Sequence, residues 1–416
     1  MQGYPNYQET NLDWLGKVPA HWSLGKLGAC FSERNEKVSD TEYPALSVTK
    51  NGIVPQMEHV AKTDAGDNRK KVCKNDFVIN SRSDRKGSAG VSEYEGSVSL
   101  ISTVLEPHFF LPNFAHHLFR SYNFQEEFYR FGKGIVADLW STRYAEMKNI
   151  IVPLVPLEEQ DAIARFLDRE TTRIDNLIAE KQAFINLLKE KRQALISHAF
   201  RADNKSHRAR LGYFVDLLPG YAFKSELFSE SSSDVRLLRG ANVGVGALKW
   251  DDVVYWSLDN PVDIEAFALR EGDIVFGMDR PWINAGARAA IVRQIDLPCY
   301  LVQRVARIRA KPDFNQKYIY FALASEEFKV HAEADLTGLS VPHISPEQIK
   351  SFPIPALPKE EQELVVYSIE RSTSRIDAIV AEVERSIALA LEHRTALISA
   401  AVTGKIDVRK HREQAA

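Results

Sequence analysis

Two stretches of the chain, 156–197 and 358–399, have the same pattern of residues, and this duplication constrains the fold more than any other feature. The first reads PLEEQ, then RID, then ALIS; the second reads PKEEQ, RID and ALIS, with every match 202 positions apart and no gap. Self-similarity of this kind indicates that one structural unit occurs twice in a chain. The protein is therefore predicted to consist of two related halves.

Both repeated stretches are predicted to form long helices. A proline opens each one, and acidic pairs follow at 158–159 and 360–361. Proline suits the first helical turn because its missing N–H would have no partner there, and carboxylates suit the positive end of the helix dipole. Gly404 closes the second stretch as a helix C-cap. At about 1.5 Å per residue each helix spans roughly 60 Å, a length typical of coiled coils.

A narrow apolar stripe along each helix, with a charged remainder, favours packing of the two helices on each other. We predict an antiparallel coiled coil related by a pseudo-two-fold axis, and two independent surface helices are the alternative. The predicted seam comprises Ile163, Leu167, Ile174, Leu177, Phe184, Leu188, Leu195, Ile369, Ile376, Ile379, Val383 and Leu397.

The regions that precede the two helices also repeat, although less closely. The strand-like segment 75–79 has a counterpart at 272–276, and helical patterns occur at 113–131 and 316–334. We predict an α+β fold (mixed α/β) with mostly antiparallel or mixed sheets. The predicted organisation is a first globular domain over 1–155, a helix over 156–203, a second globular domain over 204–357, and a second helix with a tail over 358–416.

The composition excludes several classes of protein. No apolar run reaches the length of a membrane span, and the first residues lack a basic-then-apolar signal, so a cytoplasmic location is expected. The three cysteines, Cys30, Cys73 and Cys299, are scattered, which predicts neither a disulfide framework nor a metal site. The formal net charge of −3 leaves DNA binding open, because a neutral domain can still present a basic face.

No catalytic constellation is found in the sequence. The chain lacks an [N/D]-P-P-[F/Y] stretch and a G-x-x-x-x-G-K-[S/T] phosphate loop. The glycines between 240 and 246 do not follow the order of a dinucleotide fingerprint and are predicted to form a turn. His108, His116 and His117 have no Cys or carboxylate partners at ligand spacing. We therefore predict no catalytic residue and no metal ligand.

Four motifs, in order, are similar to those of the specificity subunits of type I restriction–modification systems. WLGKVPAHW at 14–22 resembles the opening of that family, and the two repeated helices resemble its conserved regions. GDIV at 272–275 resembles a strand of its target-recognition domains, and VTGKID at 402–407 resembles its usual ending. The resemblance covers essentially the whole chain.

This resemblance implies a division of labour between the parts of the chain and its partners. Each globular domain would be a target-recognition domain reading one half of a bipartite, asymmetric site in double-stranded DNA. The helix pair would set the spacing and dock two methyltransferase subunits, and motor–nuclease subunits would join for cleavage. S-adenosylmethionine, ATP and magnesium are then expected on those partners and not on this chain. The alternatives are the specificity subunit of a fused methyltransferase–endonuclease, or a coiled-coil interaction scaffold that never touches DNA.

Reading of base edges requires donors such as arginine for guanine and asparagine for adenine, and phosphate contacts require cations. Loops 80–88 and 278–288 each follow the aspartate-led strand and combine such residues with small ones. Segments 50–51 and 239–242 share a second position, and residues just before the connectors to the helices are candidates for phosphate contact. The predicted DNA-contacting residues are Lys50, Asn51, Asn80, Arg82, Arg85, Lys86, Lys133, Arg143, Arg239, Asn242, Arg280, Trp282, Asn284, Arg288 and His343.

Overall fold

The computed structural model describes residues 2–56, 66–135, 140–201, 207–257, 262–283, 286–334 and 342–409. Contacts divide the chain into two compact units, Met1–Glu180 with Arg385–Ala416 (unit 1) and Lys181–Glu384 (unit 2). Each unit combines short strands and short helices with one part of each long helix. The predicted mixed fold with two long helices is confirmed, and the four-part division stays a prediction.

Unit 1 is built on short strands. They are β1 (Tyr7–Glu9), β2 (Lys17–Pro19), β3 (Ser23–Lys26), β4 (Phe31–Glu33), β5 (Lys37–Val38), β6 (Leu46–Thr49), β7 (Gly52–Pro55), β8 (Arg69–Val72), β9 (Phe77–Asn80), β10 (Ala89–Val91), β11 (Gly96–Val98), β12 (Ser102–Pro107) and β13 (Ile151–Leu154). The helices are α1 (Pro112–Arg120), α2 (Tyr122–Arg130), α3 (Tyr144–Met147) and the first long helix, α4 (Leu157–His198), whose end lies in unit 2.

Unit 2 repeats this order with different loops. Its strands are β14 (Arg208–Arg210), β15 (Val215–Pro219), β16 (Phe228–Ser229), β17 (Val235–Leu238), β18 (Tyr255–Trp256), β19 (Ile274–Gly277), β20 (Trp282–Ile283), β21 (Gly286–Ala287), β22 (Ala289–Ile291), β23 (Cys299–Leu301), β24 (Val305–Ala310) and β25 (Pro353–Pro355). The helices are α5 (Gln316–Leu323), α6 (Glu326–Ala334), α7 (Pro346–Ser351) and the second long helix, α8 (Lys359–Val402), whose end lies in unit 1.

The main sheets of the two units have equivalent strand orders. Unit 1 has the order β10-β9-β12-β4 and unit 2 has β22-β19-β24-β15, and every pairing in both sheets is antiparallel. The second strand of each sheet, β9 or β19, is buried along its whole length. The prediction of mostly antiparallel or mixed sheets is confirmed, with β17 and β23 pairing in parallel.

The helical pattern of each globular part forms two helices rather than one. Ser121 interrupts the first pattern with extended backbone (φ −62°, ψ 146°), and its hydroxyl accepts a hydrogen bond from Phe124 N at 3.4 Å. Ser325 does the same in unit 2, where its hydroxyl accepts from Phe328 N at 3.2 Å. A serine that caps a new helix satisfies N–H groups that the helix itself leaves unpaired, and so it ends one helix and begins another.

A buried glutamine ties each long helix to the globular part of its own unit. Gln160 Oε1 accepts from the backbone N–H of Leu111, the residue preceding α1, and Gln362 Oε1 accepts from that of Asn315, which precedes α5, both at 2.8 Å. Both glutamines are fully buried. The repeated PxxEQ motif therefore serves the same contact twice, because the amide supplies a partner for an N–H at a helix start.

Matched ion pairs join the two long helices within each unit. In unit 1 Arg394 Nε donates to Asp175 Oδ1 at 2.8 Å, and in unit 2 Arg192 Nε donates to Asp377 Oδ1 at 2.9 Å. Both pairs are partly exposed, so each contributes on the order of 0.5 kcal/mol. In each unit the start of one helix lies beside the end of the other, as in the predicted antiparallel pair.

The predicted seam is buried at most positions and is one residue out of register at three. Ile163, Leu167, Ile174, Leu188, Ile369, Ile376 and Leu397 are buried, whereas Leu195 and Val383 are partly exposed. The prediction is wrong for Leu177, Phe184 and Ile379, which are 45 %, 46 % and 37 % exposed.

The register error has a geometric cause. The buried line of α4 includes Thr171, Ile174, Ile185 and Leu188, with Ile178 packed against the same core. These positions follow the alternation of three and four residues that a coiled coil requires. Leu177 and Phe184 each precede a position of that line, and one residue turns the side chain by about 100° around the helix. Apolar character alone does not separate such neighbours.

The motif at 14–22 packs against the end of α8 within unit 1. Trp14, Leu15, Val18 and Trp22 share one buried core with Leu397, Val402 and Val408. Tyr4 Oη and Trp22 Nε1 both donate to Glu159 Oε2 at 3.0 Å, so the second glutamate of α4 has buried partners as well as a place at the helix start.

The turn after α8 has the predicted glycine cap. Gly404 has a φ of +70°, and Lys405 N donates to Ala400 O at 2.7 Å. A side chain at 404 would also collide with the ring of Pro19. Lys405 Nζ then donates to Leu15 O at 2.9 Å. The C-terminal motif is therefore fixed against the N-terminal motif by packing, by backbone conformation and by a hydrogen bond.

Candidate nucleic-acid interface

An anchored aspartate precedes each of the two predicted DNA-contacting loops. Asp76 accepts from Arg34 Nε at 2.8 Å and from Cys73 N at 2.8 Å, and its residue is 2 % exposed. In unit 2 Asp273 accepts from Arg309 Nη2 and from Arg270 N, both at 2.8 Å. Because buried carboxylates with charged donors are costly to separate, the loops that follow β9 and β19 start from fixed points.

The loop after β9 in unit 1 is joined to the segment that precedes α3. Arg82 and Ser141 form an isolated antiparallel bridge, and Thr142 N donates to Ser81 O at 2.9 Å. Arg82 and Arg143 both carry exposed side chains and line one cleft of about 460 Å³. The structure thus brings together two predicted residues that lie far apart in the sequence.

The other predicted residues of this loop differ in their surroundings. Asn80 is buried, and its Oδ1 accepts from Arg82 N at 3.0 Å, so the prediction that it contacts DNA is corrected: its side chain shapes the loop from inside. Arg85 is exposed with Asp84 at 3.6 Å. Lys86 is bound to Glu126 and lies 5.2 Å from the centre of the Tyr129 ring.

Lys133 lies beside the same bridged segment. Its side chain is 79 % exposed, with Glu146 at 3.4 Å. Its backbone pairs with Ser141, the residue that also pairs with Arg82. Lys133 therefore stays a candidate for phosphate contact, with one acidic neighbour that partly offsets its charge.

The tip of the β6–β7 hairpin holds Lys50 and Asn51, and an arginine from α1 supports it. Both tip residues are exposed. Arg120 Nη2 donates to Lys50 O at 2.5 Å, and its guanidinium also contacts His116. Burial lowers the pKa of Arg120, and the nearby Arg394 lowers it further. This support could not be predicted from the sequence, because Arg120 is one of several cations near a helix end.

The loop after β19 in unit 2 exposes one arginine and packs an aromatic side chain. Arg280 has a left-handed φ of +44°, and its N–H donates to Pro342 O at 2.7 Å while its side chain is exposed. Trp282 is half-buried against the unit 2 core, with Lys329 Nζ at 5.9 Å from its ring centre. Asn284 lies outside the described residues.

Two other predicted contacts of unit 2 are corrected because their donors are already used. Asn242 is 1 % exposed, and its Nδ2 donates to Lys249 O and Asp252 O at 3.0 and 2.8 Å. Arg288 donates to the carbonyls of Asp279 at 2.8 Å, Val243 at 3.1 Å and Gly240. Burial lowers the pKa of Arg288. Both side chains hold loops together instead of presenting donors to a ligand.

Arg239 and His343 are held by acidic partners. Arg239 Nη2 lies 2.9 Å from Asp252 Oδ1. His343 Nδ1 and Asp279 Oδ1 are 2.7 Å apart, and Arg304 Nη1 donates to the same Asp279 oxygen at 3.0 Å. The backbones of Asp279 and His343 form the bridge that corresponds to Arg82 and Ser141 in unit 1. DNA contact by Arg239 and His343 stays a prediction.

The described parts of the chain show neither a metal-binding cluster nor a membrane-spanning helix. No group of three or more His, Cys, Asp or Glu side chains is arranged to hold a metal ion there. Among the helices in those same ranges, none combines the length and the apolar character needed to cross a membrane.

Part of the chain is similar to a known family of domains, and the chain has similar relatives. Residues 237–384 match the family described as "Type I restriction modification DNA specificity domain". The chain is 38 % identical over 161 residues to the type I restriction enzyme EcoAI specificity subunit of Escherichia coli, covering 39 % of this chain and 27 % of that protein. It is 29 % identical over 280 residues to the MjaVIII specificity subunit of Methanocaldococcus jannaschii, covering 63 % of each. The matched regions thus span less than two thirds of these relatives.

Solved structures share the fold over nearly the whole chain. One is described as "Structural basis underlying complex assembly and conformational transition of the type I R-M system", with a TM-score of 0.70 at 15 % identity, covering 94 % of this chain and 99 % of that chain. The HsdS subunit from Thermoanaerobacter tengcongensis gives 0.52 at 18 % identity, covering 96 % and 100 %. Residues 237–384 are thus similar to a type I restriction–modification DNA specificity domain, and the chain as a whole shares its fold with these two solved structures.

Proposed function

We propose that this protein is the DNA-recognition subunit of a type I restriction–modification complex, in which each globular domain reads one half of a bipartite, asymmetric site. The observation that carries the proposal is the repeated main sheet, β10-β9-β12-β4 and β22-β19-β24-β15, with different side chains on equivalent loops. A repeated scaffold with different loops suits two readers of different sequences. The match of residues 237–384 to a DNA specificity domain supports the same conclusion.

The long helices supply the proposed docking surface for methyltransferase subunits. Leu177, Phe184 and Leu187 are exposed on α4, and Leu389 and Leu391 are exposed on α8. Exposed apolar residues are typical of a binding site for another protein where they form one contiguous patch. Their position on the repeated helices favours two methyltransferase subunits, and motor–nuclease subunits would join that complex for cleavage.

In this proposal the chain is not itself an enzyme. Its described polar clusters are ion pairs and loop hydrogen bonds, and the chemistry belongs to the partners. The methyltransferase subunits would bind S-adenosylmethionine, and the motor–nuclease subunits would bind ATP and magnesium. DNA as the substrate implies a cytoplasmic location.

A map of adenine methylation in the native host, with and without the gene, tests the proposal. We expect the deletion to abolish methylation at one two-part motif with an unread gap, and the wild-type gene to restore it. Co-purification identifies the partner at the same time. A fused methyltransferase–endonuclease as partner would indicate the related single-polypeptide system, which uses the same architecture.

DNA binding by the purified chain separates the proposal from an interaction scaffold. A DNA reader loses affinity steeply as salt rises, because phosphate contacts release counterions. Binding to a partner without DNA affinity at any salt concentration, together with an unchanged methylome, would contradict the proposal.

A further inference from the structure

We propose that the cleft of unit 1 between the loop after β9 and the segment before α3 binds one backbone phosphate of the DNA. This inference rests on the proposed function and names the part of the DNA that one cleft of unit 1 binds. The cleft has a volume of about 460 Å³, and Arg82 and Arg143 both line it. Cations and hydroxyl groups are the side chains that most often contact phosphate oxygens.

The two arginines are held together by backbone structure. Arg82 pairs with Ser141 in an antiparallel bridge, and Thr142 N donates to Ser81 O at 2.9 Å. Ser81 is fixed in turn, since its hydroxyl donates to Ile101 O at 2.6 Å. Both arginines therefore extend from backbone segments that are hydrogen-bonded to each other. This fixed backbone reduces the entropy lost when the two guanidinium groups bind a ligand.

The cations that line the cleft differ in whether an acidic side chain pairs with them. Among the described residues, neither Arg82 nor Arg143 has an acidic side chain within 4.0 Å. The acidic residue that lines the cleft, Glu33, is paired with Lys70 at 3.1 Å. The other lining residues carry hydroxyl groups or are apolar: Ser81, Ser102, Thr103, Ser141, Tyr144, Leu100 and Ile101. Two unpaired cations that line one cleft form a surface for a small anion with many acceptor atoms.

The recessed shape favours a phosphate over a base edge. Base edges lie inside the grooves of duplex DNA and are read by elements that project into them. A phosphate projects outwards from the duplex and can enter a cleft in the protein surface. The cleft would thus position the unit 1 half-site without reading its sequence.

The corresponding place in unit 2 lacks this charge. In unit 2, Asp279 occupies the position of Arg82: each lies six residues after the anchored aspartate of its unit. The backbone of Asp279 also forms a bridge with His343, as that of Arg82 does with Ser141. Asp279 is itself paired with His343 at 2.7 Å and with Arg304 at 3.0 Å. Among the described residues, the two unpaired arginines are therefore found at this place in unit 1 and not at the corresponding place in unit 2.

Salt-dependent DNA binding by the full-length chain tests the inference, with a duplex that carries the methylation motif. Arg82→Ala and Arg143→Ala should each reduce the slope of log affinity against log salt by about 1, and the double variant by about 2. Lys148→Ala is the matched control, because Lys148 follows Arg143 closely in the chain, is exposed, does not line the cleft and is not a predicted DNA contact. The methylated motif should be unchanged in all variants, since a phosphate contact carries no sequence information.

A neutral methylphosphonate scan of the duplex supplies the second measurement. At one position in the unit 1 half-site, the neutral linkage should weaken wild-type binding and have no effect on the double variant. An unchanged salt slope in both single variants, or a changed motif at normal slope, would overturn the phosphate site and leave the proposed function intact. No DNA binding by the wild-type chain would overturn both. Circular dichroism and thermal unfolding identify any variant that fails to fold.

Discussion

The loops that follow β9 and β19 leave equivalent strands from equivalent anchored aspartates, yet they differ in charge at the same position. Unit 1 presents the exposed, unpaired Arg82 there, whereas unit 2 has Asp279 bound to His343 and Arg304. The backbone bridge to the next segment is kept in both. The comparison shows that this scaffold fixes where a loop goes and leaves its side chains free to determine what the loop binds.

A second difference lies on the helix beside each sheet. Leu111 and Asn315 are equivalent residues, because their N–H groups bind the repeated glutamines. Counted from these residues, His116 and Arg120 of α1 correspond to Tyr320 and Ala324. Unit 1 thus places two basic side chains where unit 2 has a phenol and a methyl group. Variants that alter one unit and spare the other can test how independent the two halves are.

The largest effect is expected from removing the anchored aspartates. Asp273→Ala removes the ion-pair partner of the partly buried Arg309, whereas Asp76→Ala leaves Arg34 with the half-exposed Glu106 at 3.3 Å. We expect Asp273→Ala to destabilise unit 2 by on the order of 3 kcal/mol, and Asp76→Ala to destabilise unit 1 by a smaller amount. Urea denaturation combined with hydrogen exchange measures the loss in each unit. Asp84→Ala, at an exposed position of the same loop, should change stability little. Equal loosening of both units by one substitution would show that the halves do not unfold independently.

Arg280→Ala should change recognition of one half-site. The guanidinium of Arg280 is exposed, and its backbone N–H donates to Pro342 O. The substitution therefore removes a donor that could contact DNA and keeps the backbone hydrogen bond that holds the loop. If Arg280 reads a guanine, discrimination at that base should fall by about 1–3 kcal/mol, with the unit 1 half-site unchanged. Methylome sequencing of the variant measures this. Loss of co-purification with the methyltransferase would instead show that the loop serves assembly.

Mild acid should loosen unit 1 more than unit 2. Burial, together with the nearby charges of Arg120 and His117, lowers the pKa of His116 to about 3. The unfolded chain binds this proton near pH 6.5, so the stabilisation is complete above pH 6.5 and is lost progressively as the pH falls towards 3. At pH 5 the loss should be about 1–2 kcal/mol.

Hydrogen exchange of unit 1 peptides between pH 6.5 and pH 5 measures the acid effect, once the rates are corrected for the intrinsic pH dependence of exchange. His116→Asn should flatten the dependence, because the titrating group is gone. Unit 2, with Tyr320 at the corresponding position, supplies the internal control. An equal acid response in both units would assign the effect to groups other than His116.

The smallest effect is expected from Arg120→Ala. The substitution removes the hydrogen bond to Lys50 O and also removes a buried charge, and these contributions oppose each other. Global stability should therefore change by less than about 1 kcal/mol. Amides of residues 49–53 should exchange faster, and unit 2 should be unaffected. Unchanged exchange at the hairpin tip would show that Arg120 does not support it.

The sequence predicted the repeated elements because their signals are local. Proline at the helix starts, Gly404 at the second helix end and the regular apolar spacing all follow from the conformation of nearby residues. The prediction of the seam was wrong at Leu177, Phe184 and Ile379 because each has an adjacent apolar residue, and the sequence does not show which of the two is buried. Only packing between the helices decides between Leu177 and Ile178.

The candidate interface was harder to predict because the chemistry of a side chain does not show whether it points towards solvent or into the protein. Asn80, Asn242 and Arg288 have suitable groups for DNA contact, but all three are used within the protein. The carbonyls that satisfy Arg288 include Val243 and Gly240, which lie far from it in sequence. The convergence of Arg82 and Arg143 also depends on a long-range bridge. Such pairings follow from loop geometry, which a single sequence does not specify.

The packing of the 14–22 motif against residues 397–408 has a consequence for synthesis of the protein on the ribosome. Residues 181–384 of unit 2 are all made before Leu397, Val402 and Val408 emerge, so unit 2 has every contact of its own core available first. Trp22 and its neighbours are made early, and their last core partners are available only after residues 397–408 have been made. Domains generally fold as their residues become available during synthesis. We therefore expect the half that is translated first to finish folding last, so that a chain released early exposes an unfinished N-terminal core to the proteases of the cell.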